Sequence, residues 1–238
     1  MPTTQLTPRL KDDNWNLHQI AEKGQTPSTM IKGTMPKETF GLALAQTFII
    51  AKVFDDAVAT IKDARPDLGA LIHDEQYLTP YLREDLAYFG IDATAITPVP
   101  GAQRFIDAIN EHRDDPCFLF GLHYVRLGAC NGNRFVARKL RMVYKLAGTD
   151  GTRFLDPFGD TQRTKWISFK QGIDALDLSQ NEQDRIFAGT QAAYVLTINL
   201  DYDEHHTAEQ LLDMFGQSLD KKAFDEKHSV HISPEEAL

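Results

Sequence analysis

Apolar residues recur at intervals of three and four along most of this chain, and this spacing restricts it to helical architectures. In the segment 40–61 the spacing runs through Leu42, Ile49 and Val53, which places them on one face of an α-helix. The segment is apolar on its other faces as well. We therefore expect a long, largely buried helix over 38–58.

The same spacing predicts seven further helices, whereas strand signals are nearly absent. No segment alternates for long between apolar and polar residues. Pro, Gly and Asp cluster at short breaks, the first at 24–28, and none is long enough to link two domains. We expect one all-α domain over 1–218, followed by a charged C-terminal tail over 219–238. The further helices are expected over 7–22, 76–89, 102–113, 117–145, 163–175, 181–201 and 206–218.

The composition excludes several classes of function. The chain has 238 residues with 25 Lys+Arg against 34 Asp+Glu, a net charge of −9, which argues against general affinity for nucleic acid. No stretch reaches the roughly 18 apolar residues of a membrane span. Cys117 and Cys130 are too few for a disulfide framework. We therefore expect a cytoplasmic protein that binds neither nucleic acid nor membrane.

The opening helix carries a possible metal ligand. His18 and Glu22 are four residues apart, so they share a helix face and can touch. A histidine that binds a metal usually donates its other ring N–H to a carboxylate or carbonyl. The pair therefore fits either a proximal haem ligand with its partner or a partly exposed surface pair.

The central segment is helical at both ends but rich in Gly and Asn in the middle. Gly128, Asn131, Gly132 and Asn133 lie within six positions. Each Gly in a helix interior costs about 1 kcal/mol relative to Ala. The segment therefore indicates either a kink with close approach to a flat ligand, or a plain break between two shorter helices.

A basic run surrounds this segment. No acidic residue lies between Asp115 and Asp150, whereas six basic ones do. In an acidic chain this local reversal suits an anionic ligand group such as a carboxylate, although such runs are often solvated helix faces. The six are Arg126, Arg134, Arg138, Lys139, Arg141 and Lys145.

Two lesser features complete the set. The segment 201–206 contains carboxylates and imidazoles that could ligate a metal on a helix, but no second such cluster accompanies it. Cys130 could act as a nucleophile, although buried cysteines are more often inert.

The two main segments together resemble the biliverdin-forming haem oxygenase family. LKDDNWNLHQIAE is similar to the family's proximal helix, and on that match Lys11 faces a haem propionate, His18 binds the iron and Glu22 supports it. GLHYVRLGACNGN resembles the distal helix, which reads roughly Y-x-R-Y-L-G-D-x-S-G-G. If one residue is missing after Arg126, this pattern is matched by Tyr124, Arg126, Leu127, Gly128 and Gly132, and the resemblance implies haem contacts for Tyr124 and Arg126.

The resemblance spans about 6–206 and implies a helical fold with haem as both substrate and cofactor. It places Lys170 near a basic position that contacts a propionate. The implied reaction opens the haem ring to biliverdin, with release of CO and Fe(II). The electrons would come from a separate reductase, a ferredoxin or a flavoprotein, because no flavin or nicotinamide fingerprint is visible.

One departure from the family pattern bears on the chemistry. The family's distal aspartate, which organises proton-delivering water, falls on Ala129, and the second glycine of the family's pair falls on Asn133. Asn131, Asn133 or a shifted register could substitute for the aspartate, and the expected catalytic set is Gly128, Asn131 and Gly132.

Two other functions remain open on the sequence. A non-catalytic haem-binding protein of the same fold would fit Ala129. The chain also resembles the thiaminase-like family of aminopyrimidine hydrolases, with Cys130 as nucleophile and Glu204 and Asp55 or Asp56 as carboxylates.

Overall fold

The computed structural model describes residues 5–202 and 206–215, which form α-helices with no strand among them. The expected all-α class is therefore confirmed. Two single turns of 3-10 helix, Asp74–Gln76 and Gly159–Thr161, lie between α-helices. The α-helices are α1 Leu6–Asp12, α2 Trp15–Lys23, α3 Gln25–Lys32, α4 Lys37–Ala59, α5 Ile61–Ala64, α6 Pro66–Gly69, α7 Thr79–Tyr88, α8 Pro100–Glu111, α9 Pro116–Tyr144, α10 Gln162–Asp174, α11 Gln180–Tyr202 and α12 Ala208–Phe215.

Apart from α7, which begins at Thr79 instead of 76, the long helices agree with the expected ones within one or two residues, and α9 with α11 forms the centre of the fold. Their backbones approach closely at Gly121 and Gly189, where an added Cβ would collide with backbone atoms of the facing helix. Side chains from α4, α8 and α10 complete the main core around Phe120 and Leu119, both fully buried. The framework that carries the site is thus set by helix packing.

The N-terminal segment differs from the expected single helix over 7–22. The helix is interrupted at Asp13 and Asn14, where the Asn14 amide donates to the Leu10 carbonyl and α2 begins anew. The expected break at 24–28 is shorter than predicted: α2 ends before Gly24, and α3 begins at Gln25 and runs through the rest of the range. Pro27 lies in the first turn of α3, where its missing N–H removes no helical hydrogen bond.

The loop after α9 is held by buried carboxylates. Asp85 of α7 accepts hydrogen bonds from the backbone N–H groups of Arg153 (2.7 Å) and Phe154 (2.8 Å). Arg141 of α9 donates to Thr152 and Asp156 of the same loop. Polar side chains therefore anchor a segment that has little secondary structure of its own.

At the C-terminal end the structure describes α12 within the expected helix 206–218. The expected boundary between a domain over 1–218 and a tail over 219–238 lies outside the described residues. Within the described part of the chain, no helix is long and apolar enough to cross a membrane.

Candidate functional site

His18 lies on an aromatic face of α2. Its ring stacks on the indole of Trp15, with centroids 5.1 Å apart and planes within 9°, and meets Tyr194 of α11 edge-on at 5.7 Å. Nε2 of His18 is 3.6 Å from a carboxylate oxygen of Glu22. The structure thus brings His18 and Glu22 together, as their spacing predicts.

His18 combines a neutral ring with a free ring nitrogen. Burial lowers its pKa, Glu22 opposes this effect, and Lys11 lowers the pKa a little further. Nδ1 is buried and has no hydrogen-bond partner among the described residues. A neutral imidazole with one unsatisfied nitrogen is the form of histidine that binds a metal.

The segment that carries His18 is tied to the bundle at both ends. The Asp174 carboxylate of α10 accepts from the Thr7 N–H (2.9 Å) and the Thr7 hydroxyl (2.6 Å). At the other end, Asp201 of α11 accepts from the Thr26 N–H at 2.9 Å. These bonds fix α2 relative to α10 and α11, on which the other side chains of the site lie.

The segment around Gly128 and Gly132 belongs to one continuous helix, α9, as expected over 117–145, so of the two alternatives the plain break between two shorter helices is wrong. Tyr124, Gly128 and Gly132 lie at four-residue intervals and therefore on one side of α9. An added Cβ at Gly132 would meet nothing within 4 Å, whereas one at Gly128 would lie 3.3 Å from the indole of Trp166. The open space on this side of α9 is thus at Gly132.

Tyr124 connects α9 to the neighbouring aromatic side chains. It is buried, and its ring lies 5.0 Å from that of Trp166. Burial raises the pKa of Tyr124, and the phenol of Tyr194 adds to the effect. Because Tyr194 also contacts His18, the two phenols link the α9 side of the site to the α2 side.

Arg126 belongs to a different part of the molecule. A residue two positions before Gly128 points about 200° away on a continuous helix. Arg126 accordingly donates to Asp55 of α4, to the Gln76 carbonyl (3.2 Å) and to Nδ1 of His123 (3.0 Å). The structure does not bring Arg126 to the side of Tyr124 and Gly132.

His123 completes this buried network. Its Nε2 lies 3.0 Å from Oε1 of Gln76, and burial together with Arg126 holds its pKa well below the ordinary value. The ring is therefore neutral, with Nδ1 as acceptor. The network joins α9, α4 and the turn before α7, which is a structural role.

Asn131 connects α9 to α10. Its amide donates to the Gly128 carbonyl (2.9 Å), and its Oδ1 accepts from Gln162 (3.2 Å), which is itself buried. Oε1 of Gln162 has no partner among the described residues. Ala129, to which the motif resemblance assigns the family's aspartate, is exposed and offers no polar group.

Two cations lie beside the two tryptophans. Nζ of Lys11 is 5.8 Å from the ring centroid of Trp15, and Nζ of Lys170 is 5.6 Å from that of Trp166. The basic run of α9 contributes less than expected to an anion site, because Arg126, Arg134 and Arg141 are paired with Asp55, Asp160 and Asp156.

Comparison with known proteins places the chain in a family. A family model described as Heme oxygenase matches residues 4–201. The chain belongs to the haem oxygenase family.

Individual haem oxygenases are distant relatives of this chain. Heme oxygenase 2 of Rattus norvegicus is 24% identical over 233 residues, which cover 95% of this chain and 71% of the relative. Heme oxygenase 2 of Synechocystis sp. is 24% identical over 231 residues, covering 93% and 89%. The crystal structure of heme oxygenase-2 from Synechocystis sp. PCC 6803, in complex with heme and NO, matches with a TM-score of 0.77 at 22% identity, covering 94% of this chain and 91% of that one. This likeness confirms the haem oxygenase-like helical fold.

In this haem oxygenase fold Cys130 is not suited to act as a nucleophile. It is buried, its thiol donates to the Arg126 carbonyl, and burial raises its pKa to about 12. Asp55 is engaged by Arg126 and by the Thr79 N–H, and Glu204 lies outside the described residues. The geometry therefore gives the thiaminase-like alternative no support.

The possible metal cluster at 201–206 is only partly described, because residues 203–205 lie outside the described part. Asp201 is used in fixing α3. Asn199 exchanges two hydrogen bonds with the backbone of His206. Among the described residues no group of three or more His, Cys, Asp and Glu side chains could hold a metal ion.

Four residues of this site were not identified from the sequence: Trp15, Trp166, Tyr194 and Gln162. A signal for two of them was present, because the chain contains only two tryptophans. Trp15 precedes His18 by one helical turn. Trp166 lies four residues before Lys170, but its contact with Gly128 depends on the packing of α10 against α9 and has no local signal.

Proposed function

We propose that this chain is a haem oxygenase that binds haem between α2 and α9 and opens it to biliverdin, CO and Fe(II). The proposal rests on the state of His18. Its imidazole is neutral, its buried Nδ1 has no hydrogen-bond partner among the described residues, and its Nε2 lies beside Glu22. Membership of the family supplies the reaction class.

The residues present fit haem by three criteria. His18 offers the nitrogen donor that haem iron takes. Gly132 leaves free space on the distal side, where a flat ligand needs close approach to the backbone. Lys11 and Lys170 supply cations for the propionates. We therefore assign His18 to the iron, Glu22 to its support, Lys11 and Lys170 to the propionates, and Tyr124 to packing against the ring.

Haem, as the substrate, supplies the iron at which dioxygen is activated. The chain's own residues hold and orient it. Glu22 lies beside Nε2 of His18, the ring nitrogen that carries the proton when Nδ1 binds the iron. Gly132 leaves room over the distal face. Asn131, through Gln162, fixes the distal helix to α10. Arg126 has no part in this assignment because it is engaged with Asp55.

The electrons for this reaction would come from an external reductase, a ferredoxin or a flavoprotein. Haem is the only cofactor in the proposal. A cytoplasmic location is supported by the two cysteines, which are both free and buried.

A second function, haem binding without turnover, is favoured by one observation. Ala129 carries no group that could hold proton-delivering water, and both ends of the Asn131 amide are already hydrogen-bonded. The two functions differ in the fate of the bound haem, which an oxygenase consumes and a binding protein retains.

The test is conversion of bound haem under reducing conditions. Purified protein loaded with haem is mixed with a reductase system and oxygen, and the Soret band, the biliverdin absorption and CO are followed. We expect loss of the Soret band with about one biliverdin and one CO per haem. A stable Soret band with no product would contradict the oxygenase and support the haem binder. Haem without protein serves as the control for uncatalysed bleaching, which does not yield stoichiometric biliverdin.

A further inference from the structure

We propose that Trp15 is a positioning residue that fixes the rotation of the His18 ring and so the orientation of the iron ligand. The inference rests on the proposed function, because it assigns Trp15 a role toward the haem that His18 would bind. It concerns a side chain of this chain that the family resemblance leaves without a role.

The His18 ring is bracketed on two sides. Trp15 lies parallel to it within 9°, and Tyr194 meets it at an interplanar angle of 75°. A parallel aromatic contact holds the plane of a ring, and an edge contact limits its tilt. Rotation about the Cβ–Cγ bond of His18 would break both contacts, so the ring has one preferred orientation.

The backbone supports the stacking. Trp15 is the first residue of α2, and His18 lies one turn later on the same side. The interruption at Asp13 and Asn14 ends α1 before this pair begins. The N–H of His18 bonds to the Asn14 carbonyl at 3.0 Å. The two rings are therefore set by a helix turn that starts at Trp15 itself.

Trp15 also contacts both Lys11, which is assigned to a propionate, and His18, which is assigned to the iron. Nζ of Lys11 lies 5.8 Å from the indole centroid, a cation–π distance. Lys11, Trp15, His18 and Glu22 thus form a row along one side of the N-terminal segment. In this row the indole fixes the imidazole plane and gives the Lys11 ammonium a defined neighbour.

The orientation of an axial imidazole is visible in the spectrum of ferric haem, because the ring plane sets its π overlap with the iron d orbitals. A single orientation gives one narrow set of electron paramagnetic resonance g values. Several orientations give broadened or multiple sets. Loss of a merely structural side chain would change stability without changing this signature.

The experiment compares the ferric haem complexes of wild type, Trp15→Leu, Trp15→Phe and the control Asn16→Ala, which alters the opposite side of α2. We expect one g set for wild type, Trp15→Phe and Asn16→Ala. We expect broadened or split g values for Trp15→Leu, with haem dissociation faster by about 2- to 10-fold, the range of one aromatic contact. Should the Leu variant fail to fold, Trp15→Met, which keeps apolar bulk without an aromatic face, replaces it.

The outcomes separate the two claims. If the spectrum of His18→Ala is the same as that of wild type, the proposed function is contradicted, and the role of Trp15 with it. A spectrum that depends on His18 but is the same in Trp15→Leu or Trp15→Met as in wild type overturns the role of Trp15 alone.

Discussion

The indole of Trp166 lies in the space that a side chain at Gly128 would need, with its nearest ring carbon 3.3 Å from the position of a Cβ. One turn further along α9, the corresponding position at Gly132 meets no atom within 4 Å. Glycine therefore suits the two positions of the family-like motif for different physical reasons. Gly128 accommodates a neighbouring helix, and Gly132 borders open space, to which the proposed function assigns the haem.

Substitution of Gly132 should separate stability from haem binding. Gly132→Leu replaces an exposed helix-interior glycine, so we expect the haem-free protein to gain up to about 1 kcal/mol. The same side chain would enter the space assigned to haem and weaken its binding by at least about tenfold. Thermal melting of the haem-free protein and a Soret titration measure the two effects. A Gly132→Leu protein with wild-type haem affinity would place the ligand elsewhere.

Gly128→Ala, unlike Gly132→Leu, should destabilise the haem-free protein. The added methyl meets the Trp166 ring at a distance that forces the indole to move by a few tenths of an ångström. We expect a loss of stability of about 1 kcal/mol, since overpacking outweighs the gain in helix propensity. In a Trp166→Leu background, where the indole is absent, Gly128→Ala should no longer cost stability. If Gly128→Ala is more stable than wild type, the contact with Trp166 is looser than described.

Substitution of Arg126 should show which side of α9 faces the ligand. Its guanidinium and the Asp55 carboxylate are both largely buried, so Arg126→Met should cost about 3–5 kcal/mol of unfolding free energy. Arg134→Met is the matched control, because its partner Asp160 is fully exposed and such pairs contribute about 0–1 kcal/mol. Where Arg126→Met still folds, we expect unchanged haem affinity. A specific loss of affinity without loss of stability would return Arg126 to the site.

Asp85 should make stability depend on pH. Burial raises its pKa to about 6, although two backbone N–H groups oppose the shift. The folded protein then holds a proton that the unfolded chain releases between pH 4 and 6, so this group's contribution falls as pH rises through that window. The full change is on the order of 3 kcal/mol.

Denaturant unfolding at pH 4, 5, 6 and 7 checks this dependence. In Asp85→Asn the stability should decline less between pH 4 and 6 than in wild type, while the exposed control Asp63→Asn should follow wild type. Parallel curves for wild type and Asp85→Asn would contradict the raised pKa of Asp85.

Replacement of Gln19, next to His18, by an apolar residue should stabilise the protein. It is fully buried, and neither atom of its amide has a partner among the described residues. An unsatisfied buried amide costs about 1–3 kcal/mol, so Gln19→Met should stabilise the haem-free protein by an amount in that range. Unfolding by urea measures it. A destabilised variant would mean that the amide has a partner in solution.

The sequence predicted the features that depend on local spacing. Helical periodicity located α4, α9 and α11, and the four-residue interval placed Glu22 beside His18. It missed features set by packing between distant segments. The Thr26 N–H donates to Asp201, 175 residues away, and this bond favours a helix from Gln25 onward, where Pro27 indicated that the break would continue.

Arg126 shows a second limit of the sequence. The family pattern fits its neighbours only if a residue is missing, and one missing residue turns everything beyond it by about 100° on a helix. Which residues then face the ligand depends on where the rest of α9 packs. In this structure Asp55 of α4 determines the direction of Arg126.

The most direct test of haem ligation by His18 is a spectroscopic haem titration of wild type, His18→Ala and His73→Asn, the last changing an exposed histidine. We predict that wild type and His73→Asn bind one haem with the same sharp Soret band. In His18→Ala the band should shift and the affinity should fall by at least about tenfold, because the iron loses its nitrogen ligand. A wild-type Soret band and affinity in His18→Ala would contradict the assignment of His18 to the iron.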